Sequence, residues 1–248
     1  MIEIGPNDRV VVLTGAGISA ESGIPTFRGE GGLWRGRRVE EVASPEAFRR
    51  DPLLVWQFYS ARRSMAADKK PNAAHFALAR LEDEIGERLF LCTQNVDELH
   101  EAAGSKRVTH MHGRLFQSRC ERCGRPPFDD REIYEEKVPA CICGSRLRPH
   151  ICWFGETPYE LNRIYAALET CTLFVAIGTS GLVHPAASFV AQAHLRAGPQ
   201  VHTYYVGPQE PANRFLFNKC FLGKAGEVLP GLFSVLKSGG KAETASRS

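Results

Sequence analysis

The segment Thr14-Gly15-Ala16-Gly17-Ile18-Ser19-Ala20-Glu21-Ser22-Gly23-Ile24-Pro25-Thr26-Phe27-Arg28-Gly29 constrains this chain more than any other. It follows directly on Arg9-Val10-Val11-Val12-Leu13, a short apolar run with the β-branched content of a buried strand. A strand, then glycines, then small hydroxylated residues is how a nucleotide-binding fold opens. Side chains are stripped away so that backbone N–H groups can approach a diphosphate, helped by a helix N-terminus. Gly15-Ala16-Gly17 alone also suits an ordinary turn. The continuation is more specific, because Ile24-Pro25-Thr26-Phe27-Arg28-Gly29 sets an apolar residue, an aromatic ring and an arginine into what is otherwise a linker.

Leu89 to Thr93 and Leu173 to Gly178 read as further buried strands, and Gln200 to Val206 as another. Helical patterns lie between them, roughly over Asn72 to Ile85, Pro158 to Glu169 and Pro185 to Arg196. Strands alternating with helices predict a mostly parallel sheet covered on both faces. Two stretches interrupt the alternation, about Gly29 to Met65 and Gly113 to Pro149, and both read as insertions that build a small second domain. The expected α/β architecture is a Rossmann-like parallel sheet domain from residues 1–28, 66–112 and 150–237. A smaller zinc-binding and helical domain comes from 29–65 and 113–149, and residues 238–248 form a polar, disordered tail.

Four of the eight cysteines fall in the second insertion. Cys120 and Cys123 are separated by two residues, Cys141 and Cys143 by one, and the pairs by seventeen. Four thiolates at such spacing can close a tetrahedral zinc site, although the single residue between Cys141 and Cys143 strains the chelate. Sulfur at every position leaves no place for a water, so the zinc would be structural and the chain no metallohydrolase. A formal net charge of +3 over 248 residues is too mild to imply nucleic acid. No apolar run approaches the ~20 residues that cross a bilayer, and Met1 to Asp8 carries no signal-peptide pattern. A monomer in the cytoplasm is the expectation.

Individual side chains are ambiguous until they are combined. Gln94, Asn95 and Asp97 end a strand where ligands of open sheets gather, yet Asn95 or Asp97 alone could cap a helix. Two histidines compete in Thr109-His110-Met111-His112-Gly113. Tyr59 and Arg62 share a face of the amphipathic stretch Pro52 to Arg63, where an arginine is ordinarily a solvated residue.

Together these motifs resemble the sirtuins, the NAD-dependent protein lysine deacylases. The resemblance runs through Thr14 to Gly29, Thr93 to His100, His112-Gly113, the paired cysteines, Trp153-Phe154-Gly155-Glu156 and Gly178-Thr179-Ser180, and so spans roughly residues 8 to 235. It implies that NAD and an acylated lysine of a protein or peptide meet in the cleft between the two domains. His112 would be the base, Asn95 and Asp97 the nicotinamide pocket, and Gln94 a ribose contact. Gly15, Ala16, Gly17, Ser19 and Ala20 would bind the cofactor, as would Gly178, Thr179, Ser180 and Ala225. Phe27 would shield the reactive ribose carbon and Arg28 would position the cofactor. Trp153, Phe154, Gly155 and Glu156 would pair through their backbone with the substrate peptide as an added strand. Tyr59 and Arg62 resemble the branch of the family that removes succinyl and malonyl groups, with Ala43 the small residue that keeps that pocket deep. A guanidinium suits a terminal carboxylate because it offers paired donors and stays charged.

The implied reaction transfers the acyl group to ADP-ribose, releasing nicotinamide, free lysine and O-acyl-ADP-ribose. One departure stands out: Tyr205 and Gly207 occupy the places of an asparagine and a glutamate that hold the adenosine ribose in the family. Mono-ADP-ribosyl transfer and a non-enzymatic NAD or ADP-ribose sensor are the alternatives.

Overall fold

The chain opens with a three-residue strand, Ile2–Ile4 (β1), and then Val10–Thr14 (β2), in which all five residues are buried. The computed structural model describes residues 1–26, 33–34 and 37–236. Leu33–Trp34 (β3) and Arg37–Arg38 (β4) pair antiparallel ahead of the helices Val39–Val42 (α1), Pro45–Arg50 (α2) and Pro52–Ala66 (α3). Ala73–Ile85 (α4), Leu89–Thr93 (β5), Leu99–Ala102 (α5) and Val108–His110 (β6) follow. Gly113–Cys120 (β7), Phe128–Asp129 (β8) and Leu147–Ile151 (β9) make a small antiparallel sheet in the order β8-β7-β9. The remainder is Leu161–Thr170 (α6), Leu173–Ile177 (β10), Phe189–Ala197 (α7), His202–Gly207 (β11), Lys219–Leu222 (β12), Ala225–Val228 (α8) and Phe233–Val235 (β13).

Six strands form one parallel sheet in the order β12-β11-β10-β2-β5-β6. Alternate residues of β2 explain why it reads as a continuous apolar run. Val10 and Val12 pack with Leu78, Leu81 and Ile85 of α4 on one face, while Val11 and Leu13 pack with Ile164, Leu168, Phe189 and Val190 of α6 and α7 on the other. From β2 the chain moves outward through β5 and β6, then returns to build β10, β11 and β12 on the opposite side. The strand order therefore reverses between β2 and β10, and a crevice at such a reversal is where open α/β sheets bind ligands.

A third core belongs to the smaller module. Phe48, Val55, Trp56 and Tyr59 from α2 and α3 pack with Leu115, Leu147 and Trp153, and with Cys120 and Cys141. The helix α3 is held at its start by Asp51, whose side chain accepts from Leu54 N–H at 3.0 Å, and by Pro52 in its first turn. Residues from the two insertions thus pack into one core, together with Ile151 and Trp153.

Some boundaries differ from the sequence reading. The helix expected from Pro158 begins at Leu161, after a turn in which Glu160 has a positive φ of 60°. The stretch from Pro185 opens as a 3₁₀ turn before α7. The pairing of β1 with β13 and the edge strand β12 add elements that the sequence did not announce. Among the described residues no helix is long and apolar enough to cross a membrane.

Candidate active site

The loops after β2 and β10 touch at the reversal point. Gly15 N–H donates to Ile177 O and Gly17 N–H to Gly178 O, both at 3.0 Å. A Cβ on Gly17 would lie 2.7 Å from Gly178 Cα, and Gly178 itself sits at φ +62°. Only a glycine pair permits this approach. Asn72, the N-cap of α4, anchors the same loop by donating from Nδ2 to Ile18 O at 2.8 Å and to Ser22 Oγ at 3.0 Å.

A directed chain of hydrogen bonds crosses from the β5 loop to the β2 loop. Asn95 Nδ2 donates to Gly15 O at 3.2 Å and to Ser19 Oγ at 3.0 Å, and Ser19 Oγ donates to Asp97 Oδ2 at 3.0 Å. Asp97 Oδ1 accepts at 3.1 Å from the N–H of Leu99, the first residue of α5, although the N-cap position of that helix belongs to Glu98. Burial raises the pKa of Asp97, against the Leu99 and Ser19 hydrogen bonds that favour its charged form. Asn95 and Asp97 are both buried.

The two histidines at the end of β6 are held differently. His112 Nδ1 lies 2.9 Å from Gln94 O. A carbonyl can only accept, so Nδ1 carries the proton and Nε2 is the basic nitrogen of the neutral ring. Burial lowers the pKa of His112, opposed by that bond to Gln94. His110 has both nitrogens engaged, Nδ1 with Asn95 O at 3.2 Å and Nε2 with Glu101 at 2.7 Å, while Glu101 also pairs with Arg114 at 3.1 Å. No lone pair of His110 is left for chemistry.

Ala16, Ser19 and Asp97 line an open cleft of about 450 Å³ together with Arg62, Met65 and Val96. Arg62 of α3 is half-buried and faces the same space as the β2 and β5 loops. Burial draws the Arg62 guanidinium below its ordinary pKa, with Tyr59 and Asp97 opposing. Tyr59 is deeper, with its pKa pushed up by burial and its hydroxyl accepting from Trp153 Nε1 at 2.9 Å. Trp153 is a core residue, whereas Phe154 is 48% exposed and Gly155 has φ +88°. Phe154 N–H donates to Ala43 O at 3.1 Å, which brings the buried Ala43 beside the exposed segment. Glu156 accepts two bonds from Arg148, at 2.7 and 2.9 Å, and is an internal anchor.

A second recess of about 270 Å³ gathers Gln94, Thr179 and Ser180 with Asn213. Tyr205 Oη donates to Thr179 O at 3.1 Å, and its ring is buried against Phe217. It is thus placed to hold the loop after β10 and not to stack on a ligand. A Cβ on Gly207 would meet Tyr205 Oη at 2.3 Å, so the tyrosine occupies the room that a side chain at 207 would need. Ala20 is exposed and outside both clefts; Ala225 begins α8 and is buried in the core shared with α4. Phe27, Arg28 and the tail from 238 to 248 lie outside the described residues.

The four sulfurs of Cys120, Cys123, Cys141 and Cys143 lie within 4.8 Å of one another. Cys120 Sγ to Cys143 Sγ and Cys123 Sγ to Cys141 Sγ are both 3.6 Å. A tetrahedron with Zn–S bonds of about 2.3 Å has sulfur–sulfur edges of about 3.8 Å, so the donor set fits one structural zinc. The one-residue spacing is accommodated by a turn in which Gly144 N–H donates to Cys141 O at 2.9 Å and Gly144 takes φ +81°. Hydrogen bonds from Ser145 pull the Cys143 thiol down to about 6, which favours the ligating thiolate.

Residues 15–185 match the model of the Sir2 family. The chain is 49% identical over 225 residues to an NAD-dependent protein deacylase of Pasteurella multocida (strain Pm70), covering 90% of this chain and 95% of that protein. This chain belongs to the Sir2 family. An NAD-dependent protein deacylase of Escherichia coli (strain K12) is 48% identical over 237 residues, covering 94% of this chain and 84% of that one. A crystal structure of a Sir2 homolog–NAD complex superposes with a TM-score of 0.82 at 42% identity, covering 90% of this chain and 86% of that one.

In this Sir2 chain Ala16, Ser19 and Asp97 line the first cleft, and the buried Asn95 is tied to it through its hydrogen bonds to Gly15 O and Ser19 Oγ. This donor and acceptor set fits a dinucleotide whose nicotinamide carries a carboxamide. Sequence reasoning missed Met65 and Val96 in the first cleft and Asn213 in the second. Met65 is three residues past Arg62, and Val96 sits between two assigned residues, so helical spacing and adjacency carried a signal for both. Nothing local in the sequence singles out Arg148 or Asn213.

Proposed function

We propose that this Sir2 chain is an NAD-dependent protein lysine deacylase that accepts both acetyl-lysine and lysines bearing acidic acyl groups, succinyl and malonyl. The observation that carries the reading is the single cleft shared by Ser19 and Asp97, on the cofactor-cleaving side, and Arg62, on the acyl side. When bound, NAD supplies an electrophilic ribose carbon from which nicotinamide can leave.

In this reading Asp97 accepts from the nicotinamide carboxamide and Asn95 braces the pocket through Gly15 and Ser19. His112 Nε2 takes a proton from a ribose hydroxyl, since Nδ1–H is held by Gln94 O. With NAD bound, that deprotonation would let the hydroxyl accept the acyl group, the amide oxygen of the acyl-lysine taking the place of nicotinamide on the ribose carbon and a water being consumed as the lysine is freed. Gln94, Thr179 and Ser180, together in the second recess, suit the remaining sugar and phosphates. Arg62 and Tyr59 would meet the carboxylate of an acidic acyl group. The exposed backbone at Phe154 and Gly155 would pair with the peptide. Gly15, Ala16 and Gly17 keep their assigned cofactor role here; nothing in the geometry supports one for Ala20 or Ala225.

We further propose that residues 1–28, 66–112 and 150–237 form the NAD-binding domain and that 29–65 and 113–149 form the small one. The protein acts as a cytoplasmic monomer on acylated proteins, with no role for nucleic acid or membrane. The test is a panel of acetyl-, succinyl- and malonyl-lysine peptides with NAD, read by nicotinamide release and peptide mass. Loss of each acyl group is expected, and Arg62→Met should lower the succinyl-to-acetyl rate ratio by about 10 to 100-fold. A gain of ADP-ribose on the peptide would instead mean ADP-ribosyl transfer.

A further inference from the structure

Thr14 and Thr93 end the adjacent strands β2 and β5, where they are paired in register. Both are wholly buried, and their hydroxyls meet at 2.8 Å, with Thr14 Oγ1 donating to Thr93 Oγ1. His100 Nε2, from α5, lies 3.0 Å from Thr14 Oγ1. With the Thr14 proton spent on Thr93, that ring nitrogen must be the donor. Thr93 Oγ1 also accepts from Asn95 N–H at 3.0 Å. Three buried side chains from β2, β5 and α5 thus stand behind one backbone amide in the loop after β5.

That amide belongs to the same peptide unit as Gln94 O, the carbonyl that holds His112 Nδ1 at 2.9 Å. A trans peptide is planar, with its N–H and C=O pointing in opposite directions. Fixing the Asn95 N–H therefore fixes the direction of Gln94 O, and with it the ring of His112. The neighbouring bonds do not have this effect. Gln94 N–H donates to Thr14 O at 2.9 Å, and His110 Nδ1 meets Asn95 O at 3.2 Å, but those two atoms belong to the peptide units on either side. Without the Thr93 hydroxyl the buried Asn95 N–H loses its acceptor, and the peptide must turn to find another.

We propose that Thr93 is a positioning residue for the base: its hydroxyl, backed by Thr14 and His100, orients the Gln94–Asn95 peptide so that the Gln94 carbonyl presents His112 Nε2 to the ribose hydroxyl. The inference rests on the reading of His112 as the base. Burial lowers the pKa of His112 and the Gln94 bond raises it, with no charged side chain among the described residues contributing. A peptide released from Thr93 weakens that bond, so the His112 pKa falls further. Burial, with His75 and His110 nearby, holds the His100 pKa well below its ordinary value, so that ring stays neutral while His112 titrates.

The experiment records kcat/KM against pH, with NAD and an acetyl-lysine peptide, for the full chain as wild type, Thr93→Val, Thr93→Ser and Thr109→Val. Thr93→Val keeps the shape of the side chain and removes the hydroxyl. It should lower kcat/KM about 5 to 10-fold and move the midpoint of the acid limb to lower pH. Thr93→Ser keeps the hydroxyl and should return the midpoint to its wild-type position. Thr109 is buried in β6, beside β5, and its hydroxyl has no partner among the described residues, so Thr109→Val controls for packing and should leave the midpoint alone. If Thr93→Val does not fold, Thr14→Val removes the oxygen behind Thr93 and should shift the midpoint the same way. A midpoint that stays put without the hydroxyl, moves equally in Thr109→Val, or is not restored in Thr93→Ser would overturn the role of Thr93. An active His112→Tyr, or a wild type with no acid limb, would instead remove the base reading and the proposal with it.

Discussion

At the scale of single residues, the proposed chemistry depends on which nitrogen of which histidine is free. His110 is engaged at both ring nitrogens, while His112 is fixed through Nδ1 and presents Nε2. Burial lowers the pKa of His112 below its ordinary value of about 6.5. A base with a lowered pKa stays neutral to more acidic pH. Activity should therefore be lost only as pH falls through that lowered value, and the acid limb of kcat/KM should have its midpoint below 6.5. His112→Tyr should abolish that limb with the activity while NAD binding persists. His110→Ala should leave the midpoint in place and act mainly through the Asn95 carbonyl that it supports. A midpoint at or above 6.5, or a dead His110→Ala beside an active His112→Tyr, would reverse the assignment. The expectation for His112 came from its place before Gly113 in the family resemblance, whereas its tautomer could not be read from the sequence, because it is set by Gln94 in the loop after β5.

At the scale of elements, β2, β5 and β10 were legible because strands buried on both faces must be apolar at consecutive positions. The pairing of β1 with β13 was not, since three-residue strands more than two hundred positions apart carry no periodicity. The apolar stripe of α3 was legible too, yet its most consequential residue was not. Arg63 reads as a surface charge, but its side chain is fully buried. It donates from Nε to Leu115 O at 3.0 Å and from Nη1 to Glu132 O at 2.7 Å, and it lies 3.4 Å from Asp130. It therefore fastens α3 to β7 and to the loop that leads from β8. Arg63→Met would leave Asp130 buried without its counter-charge, a loss of about 3–5 kcal/mol. Denaturant unfolding should show that loss, and hydrogen exchange should place it in residues 113–149. Adding Asp130→Asn should recover part of the stability by removing the stranded charge. If Arg63→Met unfolds at the wild-type midpoint, the clamp is not structural.

At the scale of the whole molecule, the zinc site and the acyl site belong to one packed unit. Cys120 and Cys141 lie in the same core as Trp56, Tyr59 and Trp153, and Trp56 Nε1 donates to Leu147 O at 3.0 Å, six residues past Cys141. Four sulfurs closed around a metal fix β7 and the turn before β9 relative to each other, and α3 packs on both. Metal binding is then coupled to the order of the small module, whereas the six-stranded sheet has its own two cores and does not depend on it. About one zinc per chain is expected in freshly purified protein. Removal by a strong chelator should lower the thermal transition and disorder the module, and readdition of zinc should restore both. Because Tyr59 and Trp153 sit in that module, selectivity for acidic acyl groups should decline in step with its folding, and not before. Metal analysis without zinc would refute the site. Zinc-free protein with an unchanged Tm and an unchanged succinyl-to-acetyl ratio would show that the two insertions hold their shape through packing alone.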